Sequence, residues 1–515
     1  MTIIGIDLGT SFCVVARATG SGTIELVPNR DGDLKTGSLV SFADDRPLVA
    51  KAALPDLVLS PGQVCRCFKR YMGKRDKMQQ LLPLVTVKNT TRTAVDASAV
   101  MLSDLKESTE QYLGEPVEKA VISVPVYFGE LAREDTRVCA HVAGYNEVKL
   151  IEESVAAAIY YGLDKSRSEA IAVVDFGGGT LDVTFLKVTG GIAKAQFTAG
   201  DSELGGDCYN EATLAFMCDK AKKQGIEISS STDLATFYHN LDKAREAKEM
   251  LSRRDRVIVI PEANGQRCKV ELTRKIFAKL TKDLDERFVQ CCQTLKQKID
   301  SAHERVDRVL LVGGSSRLPQ VKELVEAVFG IPASMDTDPD MIVAKGAAIW
   351  AAKCFGDPNA AIVVGGHRYL PDDIQVSAVS SHPICVAARK QEQRDGQEYN
   401  FEIVPSNTEL PFEFEQRFAP VSPTQSVVVI KLLQGQPGQL SSESTLLREV
   451  RVPIEPSAAD ADRIIIKGVY TAEGLLEISI TDELLGKPVS DSFVYSAGLS
   501  VDDIQKRHAE FQSKG

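Results

Sequence analysis

The sequence predicts an α/β domain built from duplicated subdomains, followed by an all-β sandwich. Three observations carry this reading. A theme of strand, Asp, Gly/Thr turn and strand occurs twice, around Asp7 and around Asp175. A third apolar strand, Arg308-Val-Leu-Leu-Val312, runs into a Gly-Gly-Ser turn and then a helix. Near residue 356 the helical patterns give way to short strands punctuated by Gly and Pro.

Composition bounds the rest. At 515 residues the chain exceeds one ordinary core, so two or more domains are expected. Apolar content of 43% and charged content of 25% are those of a soluble globular protein. The net charge of −11 argues against a broad nucleic-acid-binding surface. No run approaches the ~18–20 apolar residues that span a bilayer, so no membrane partner is expected. The chain opens directly on Thr2-Ile-Ile-Gly-Ile6, which leaves no room for a signal peptide. Eleven cysteines, odd in number and without paired spacing, read as reduced thiols in a cytoplasmic protein.

In chain order, Ile3–Ile6 is a strand, Asp7-Leu-Gly-Thr-Ser11 a turn, and Cys13–Ala16 a second strand. The basic stretch Pro61–Gly73 reads most simply as a solvated helix face. Residues 98–113 form an amphipathic helix stopped at Gly114, and Ala120–Val124 is a strand. Glu152–Gly162 has carboxylates in its first turn and a glycine at its end, the signs of a helix. The stretch Ala170-Ile-Ala-Val-Val-Asp-Phe-Gly-Gly-Gly-Thr-Leu-Asp-Val-Thr184 is a strand, a glycine turn and a second strand. Ala199–Asp207 is a loop, Leu241–Ser252 a charged helix, and Val321, Leu324, Val325 and Val328 mark one face of a further helix. The expected sandwich strands are Tyr399–Val404, Phe412–Phe418, Ser426–Leu433, Leu447–Ile454, Arg463–Tyr470 and Leu475–Thr481.

The chemistry concentrates at the two glycine turns. Bare glycines let backbone N–H groups approach an anion closely, which fits a phosphate. Asp175 and Asp182 flank that nest and would repel phosphate unless a hydrated divalent cation lies between them. A ligand-free glycine hairpin explains either turn taken alone; the repetition favours two hairpins facing one ligand. Likewise Gly313-Gly-Ser-Ser-Arg-Leu-Pro319 suits a flat base lying on small residues, or an ordinary strand-to-helix turn.

With these pieces placed, the chain resembles the 70-kilodalton heat-shock chaperone (DnaK-like) family. Gly5-Ile-Asp-Leu-Gly-Thr-Ser11, Val174-Asp-Phe-Gly-Gly-Gly-Thr-Leu-Asp182 and Leu311-Val-Gly-Gly-Ser-Ser-Arg-Leu-Pro319 match its two phosphate motifs and its adenosine motif in order. The stretches 124–128, 199–206 and 338–347 match as well. The likeness is strong over 1–355 and weaker over 379–495.

The resemblance implies an actin-like ATPase domain at 1–365, a linker at 366–378, a peptide-binding sandwich at 379–495 and a short polar tail at 496–515 without a helical lid. ATP or ADP with Mg²⁺ would be the cofactors. Gly9, Thr10, Ser11, Phe12, Thr180, the nest Gly177, Gly178 and Gly179, and the loop Gly205 and Gly206 would hold the phosphates. Asp7 and Asp175 would orient the waters of Mg²⁺. Lys69 would position the attacking water with Glu153 opposite, and Asp182 is the candidate proton acceptor. Gly313, Gly314, Ser315, Arg317 and Asp340 would frame the adenosine, with Lys248 and Ser252. Pro125 and Arg133 match the interdomain switch. Val386, Phe418, Val428 and Ile430 align with the pocket gripping an extended peptide, although core packing also suits them. Unfolded or extended polypeptides would be the clients, with J-domain and nucleotide-exchange cochaperones as partners.

The departures bear on mechanism. Glu152-Glu-Ser-Val155 replaces the family's Asn-Glu-Pro-Thr, and Arg245 replaces a ribose-contacting Glu. The linker Ile374-Gln-Val-Ser-Ala378 has two good apolar anchors where the family has four, and the loop Arg389–Glu398 is long and charged. The leading expectation is an ATP-dependent chaperone. The alternative is an ATP-binding regulatory or cochaperone scaffold with slow hydrolysis and one dedicated partner. A sugar or acid kinase on the same fold leaves the β-domain unexplained.

Overall fold

A computed structural model describes residues 2–491 apart from 164–167, 190–191, 231–232, 336–337, 390–395, 458–461, 472–475 and 487. The expected tail 496–515 therefore lies outside the described residues, as does most of the charged loop at 389–398. The described chain divides into two units. The first comprises 2–127 and 135–376, the second 128–134 and 377–491.

The first unit holds two sheets of the same design. In one, β1 (Thr2–Leu8), β2 (Phe12–Ala18) and β3 (Ile24–Val27) form an antiparallel meander, while β4 (Val117–Val124) and β5 (Glu147–Glu152) add in parallel beyond β1. In the other, β6 (Glu169–Phe176), β7 (Leu181–Thr189) and β8 (Ile192–Asp201) form the meander, with β9 (Arg308–Val312) and β10 (Ala333–Met335) parallel beyond β6. Strand orders 5-4-1-2-3 and 10-9-6-7-8 are the same pattern written twice. A short strand, β11 (Gln375–Ser377), extends the second sheet beyond β8. Part of the expected linker is thus a strand, and Ile374 just before it is fully buried.

The longer helices are α1 (Ala94–Leu113), α2 (Glu130–Val142), α3 (Glu153–Leu163), α4 (Gly206–Lys222), α5 (Leu234–Leu251), α6 (Lys282–Ser301), α7 (Pro319–Phe329) and α8 (Ile342–Phe355), with α4 and α5 packed on each other. Thr93 caps α1 through a reciprocal box with Asp96, which starts the helix four residues before the apolar period does. Helix α8 lies against β1 and α3 because two glycines remove the obstructing carbons. A Cβ on Gly5 would stand 2.1 Å from Ala348 N, and one on Gly346 would stand 1.8 Å from Ala156 O. The β1–β2 turn is thereby held from behind.

The expectation of a solvated helix at 61–73 is corrected. The stretch is a 3₁₀ turn, Pro61–Gln63, the short strand Val64–Arg66 and a second 3₁₀ turn, Phe68–Tyr71, with Lys69 only 4% exposed. Its apolar side chains Val64, Cys65 and Phe68 are core, and they pull the basic residues inward with them.

The second unit is a sandwich of two four-stranded sheets. One is β13–β12–β15–β16, from Tyr399–Val404, Ile384–Ala388, Val427–Gln434 and Thr445–Pro453. The other is β14–β17–β18–β19, from Phe412–Phe418, Ile464–Tyr470, Leu476–Asp482 and Pro488–Asp491. Alternate residues such as Ile384, Ile430, Leu432, Phe414, Ile466 and Ile478 meet in one core. Leu131, from the first turn of α2, packs on that same core, and Tyr470 O–H donates to the Glu130 carboxylate.

Candidate functional site

The two hairpin turns of the first unit face each other. Register puts Asp7 opposite Val14 and Asp175 opposite Asp182, so each turn carries its aspartate at a strand end. A Cβ on Gly178 would stand 2.2 Å from Ser11 Oγ, and one on Gly179 would stand 2.7 Å from Thr10 Oγ1. Only glycine lets the turns come this close. The loop before α4 closes in similarly, since a Cβ on Gly205 would stand 2.3 Å from Gly178 O. Gly206 N and Asp207 N donate to Gly177 O and Gly178 O at 3.0 and 2.8 Å, which fixes the nest.

Between the turns lies a cavity of about 790 Å³. Its lining includes Asp7, Gly9, Thr10, Ser11, Phe12, Lys69, Glu153, Asp175, Gly177, Gly178, Thr180 and Gly206 toward the nest. Lys248, Ser252, Gly313, Gly314, Ser315, Arg317 and Asp340 line it as well. Nearly all the residues expected to hold nucleotide therefore border one space. Gly179, Gly205 and Asp182 stand behind this lining, Gly179 against Thr10 and Gly205 against Gly178.

Carboxylates dominate one end. Burial pushes Asp7 up to about 7, with Glu153 adding to the effect, while Ser123 Oγ donates to Asp7 Oδ1 at 2.8 Å. Burial, then Glu153, Asp182 and Asp7, hold Asp175 well above the usual carboxylate range. Asp182 is also pushed up to about 7, by burial and then Glu153. Its Oδ1 accepts from Tyr127 N at 3.0 Å, whereas its buried Oδ2 has no hydrogen-bond partner among the described residues. Lys69 is the buried cation among them. Burial opposes its charge, but Glu153 and Asp7 outweigh burial and raise its pKa. Its Nζ donates to Glu153 Oε1 at 2.5 Å.

The residues present fit a hydrated divalent cation. A surplus of buried carboxylates raises one another's pKa and leaves an oxygen unsatisfied, as a missing positive charge would. Among the described residues no group of three or more His, Cys, Asp or Glu side chains forms a direct metal cage.

Small residues and one ion-pair cluster form the other end. Gly313 has φ +80°, and a Cβ there would stand 2.6 Å from Phe176 O, so the turn requires glycine twice over. Ser315 Oγ donates to Gly177 O at 2.7 Å, and Lys248 Nζ donates to Gly206 O at 3.1 Å. Arg317 pairs with Asp340 at 2.8 Å and Lys35 pairs with the same carboxylate. Burial alone would raise Asp340, but Lys35 and Arg317 hold it below its ordinary range.

Two site residues came only from the structure. Ser123 reaches Asp7 from the neighbouring parallel strand, and Lys35 reaches Asp340 across 305 positions. Neither carries a local sequence signal.

Of the expected switch residues, Pro125 is buried after β4 in the first unit. Arg133 belongs to the second unit, 5% exposed, with Nε donating to Phe128 O at 3.1 Å. In the sandwich, Val386 and Ile430 are 1% and 4% exposed members of the core. Phe418 and Val428 are partly buried at its edge, and Phe418 meets Phe401 edge-on at 5.3 Å. The inward strand face carries Val386 and Ile430 into the core, so of the four only Phe418 and Val428 keep partly exposed surface.

The Hsp70 protein family model matches residues 3–514. Two curated relatives, both chaperone protein DnaK from strains of Halobacterium salinarum, are each 31% identical over 523 aligned positions. Those alignments cover 99% of this chain and 78% of each relative. With motif order, duplicated sheets and whole-chain similarity in agreement, the chain belongs to the Hsp70 family of ATP-hydrolysing chaperones.

Proposed function

We infer that the chain couples ATP hydrolysis in its first unit to binding and release of extended polypeptide segments by its second. The duplicated sheets support an actin-like arrangement for the first unit. The observation that carries the reading is the meeting of two Asp-bearing hairpin turns over one cavity, with Lys69 and Glu153 paired beside them.

In this reading the Gly177–Gly179 nest and the hydroxyls of Thr10, Ser11 and Thr180 bind the phosphates. Gly313, Gly314, Ser315, Arg317 and Asp340 frame the adenosine, with Lys248 and Ser252. Asp7 and Asp175 would hold a hydrated Mg²⁺, which would supply charge neutralisation at the phosphates. Lys69 orients the attacking water, and Glu153 holds Lys69 in place. Asp182 takes the water's proton; a carboxylate with one oxygen unpartnered among the described residues and a pKa near neutrality suits a general base. Positioning and charge compensation thus supply most of the acceleration. J-domain and nucleotide-exchange cochaperones are the expected partners.

Phosphate release from MgATP, with and without an apolar peptide, tests this. Turnover in the wild type that falls in Asp182→Asn is expected; no turnover in either condition would sink the ATPase mechanism. The enclosure of Val386 and Ile430 favours a second reading, a narrow site for one dedicated partner. A panel of unrelated apolar peptides separates the two, since a general chaperone binds many of them.

A further inference from the structure

A second cavity, of about 650 Å³, adjoins the nucleotide cavity in the first unit. Both volumes lie in the range of roughly 300–1,000 Å³ found for small-molecule sites. One side comes from residues between Asn29 and Tyr71, the other from the start of α4 and from α5. Its apolar part is substantial. Leu54, Leu57 and Leu241 line it, and the rings of Phe237 and Tyr238 meet edge-on at 5.9 Å.

Its polar part is incompletely satisfied. The Arg66 guanidinium lies 5.2 Å over the Tyr238 ring, and its Nη2 donates to Asp242 at 2.8 Å. Arg66 Nη1 is enclosed without a partner among the described residues. Arg245 stands 3.8 Å from the same Asp242, already engaged, and its enclosed Nε has no partner either. Asn210 is 5% exposed; its Nδ2 donates to Asp207 Oδ1 at 3.2 Å, while its Oδ1 is unpartnered. The other lining cations are taken, Lys51 by Asp33, Lys35 by Asp340 and Arg70, at 3.9 Å, by Glu211. Arg66, Arg245 and Asn210 therefore line one space beside an apolar wall, each with one enclosed polar atom that has no partner among the described residues. Buried polar groups of this kind normally have partners, so each unsatisfied one calls for an explanation.

We infer that this second cavity binds a small amphipathic anion, a carboxylate on an aromatic or aliphatic body. The carboxylate accepts from Arg245 and Arg66, whose planar donors match it in geometry. The body lies against Phe237, Tyr238 and Leu57. A phosphate dianion fits less well, because Asp207, Glu211 and Asp242 share the lining and repel a second negative charge. Thr10, Ser11, Asp207 and Arg245 line both cavities, so the occupant and the nucleotide touch a common wall. The occupant thereby changes the rate at which nucleotide leaves.

The test uses the full chain with MgADP present and absent, with 3-phenylpropionate as probe and neutral 3-phenylpropionamide as control. Ligand-observed NMR or calorimetry reads binding, and a fluorescent ADP analogue reads nucleotide release. The acid is expected to bind at least tenfold tighter than the amide in both conditions and to change the ADP off-rate. Arg245→Gln should remove the acid's advantage, and Phe237→Ala should weaken both probes. Equal binding of acid and amide overturns the proposal, as does no binding at millimolar probe. Binding indifferent to both substitutions, or abolished by MgADP, also overturns it, since the probe would then sit elsewhere. Failure of ADP itself to bind would count against the nucleotide reading, and the acid-to-amide comparison without ADP still decides the second cavity.

Discussion

Lys69 Nζ donates to Glu153 Oε1 at 2.5 Å, with the two side chains 5% and 10% exposed, beside Asp7 and Asp175. A cation so enclosed, between a rigid partner and the cavity, holds a fixed direction for a water bound to it. Lys69→Ala should retain MgATP binding and lose about 100-fold in turnover, the scale of a misplaced reacting group. Single-turnover hydrolysis measures this directly. Unchanged turnover would remove Lys69 from the mechanism.

The site's pH dependence follows from its carboxylates. Asp182 and Asp7 are both pushed up to about 7, mainly by burial. In the unfolded chain an Asp titrates near ~3.9. A folded value above the unfolded one contributes stability that is complete below about pH 4 and lost as pH rises through about 7. For Asp182 the shift corresponds to about 4 kcal/mol. The nucleotide-free protein should therefore lose stability across that window, and Asp182→Asn should flatten the loss. Thermal unfolding of both proteins at several pH values checks it; parallel curves would contradict the assignment.

Metal dependence has the opposite sign. A divalent cation favours the ionised carboxylates, so protons must leave Asp7 and Asp175 as it binds. ATP affinity should require Mg²⁺ and should rise with pH through about 7. Calorimetry in excess chelator, or at two pH values, gives the answer. ATP binding indifferent to chelator would sink the carboxylate reading.

Close approach of backbone sets the next expectation. A Cβ on Gly205 would stand 2.3 Å from Gly178 O and 2.5 Å from its carbonyl carbon, so the nest itself must move. Gly205→Ala should weaken ATP binding at least tenfold while the far-ultraviolet circular dichroism stays the same. An affinity within twofold of wild type would mean the nest does not bear on the phosphates.

Much of this was legible before any coordinates. The sandwich strands expected at Tyr399–Val404 and Phe412–Phe418 occur with those bounds, because alternation and Gly/Pro punctuation are local signals. Asp7, Asp175 and the three glycines were legible because one short turn carries both its geometry and its chemistry. Lys69 was visible only through family resemblance; by composition its stretch read as a solvated helix, and Val64, Cys65 and Phe68 decided otherwise. Lys35, Ser123 and Arg66 owe their roles to partners far away in sequence. No local period encodes such pairings. Nor does alternation distinguish a strand residue facing the core, such as Ile430, from one at the sandwich edge, such as Val428.

The second unit holds a buried ion pair, Arg463 with Asp482. Arg463 Nη1 donates to both oxygens of Asp482 at 2.9 Å, and the side chains are 5% and 1% exposed. Asp482 also accepts from Glu455 N at 2.8 Å and Leu484 N at 3.2 Å, tying two loops to the end of β18. Arg463 donates its other terminal nitrogen to Glu455 O. Removing one partner strands a charge in the interior, which costs about 3–5 kcal/mol. Asp482→Ala should lower the stability of the second unit by that amount, and Arg463→Met paired with Asp482→Leu should cost less than either single change. A nearby pair supplies the control: Arg417 and Glu483 lie 2.8 Å apart but are each 46% exposed, so Glu483→Ala should cost at most about 1 kcal/mol. Denaturant unfolding of the full chain, followed by hydrogen exchange in β17 and β18, separates this unit's transition from the first unit's. If Asp482→Ala proved no more damaging than Glu483→Ala, burial would not be what gives the pair its weight.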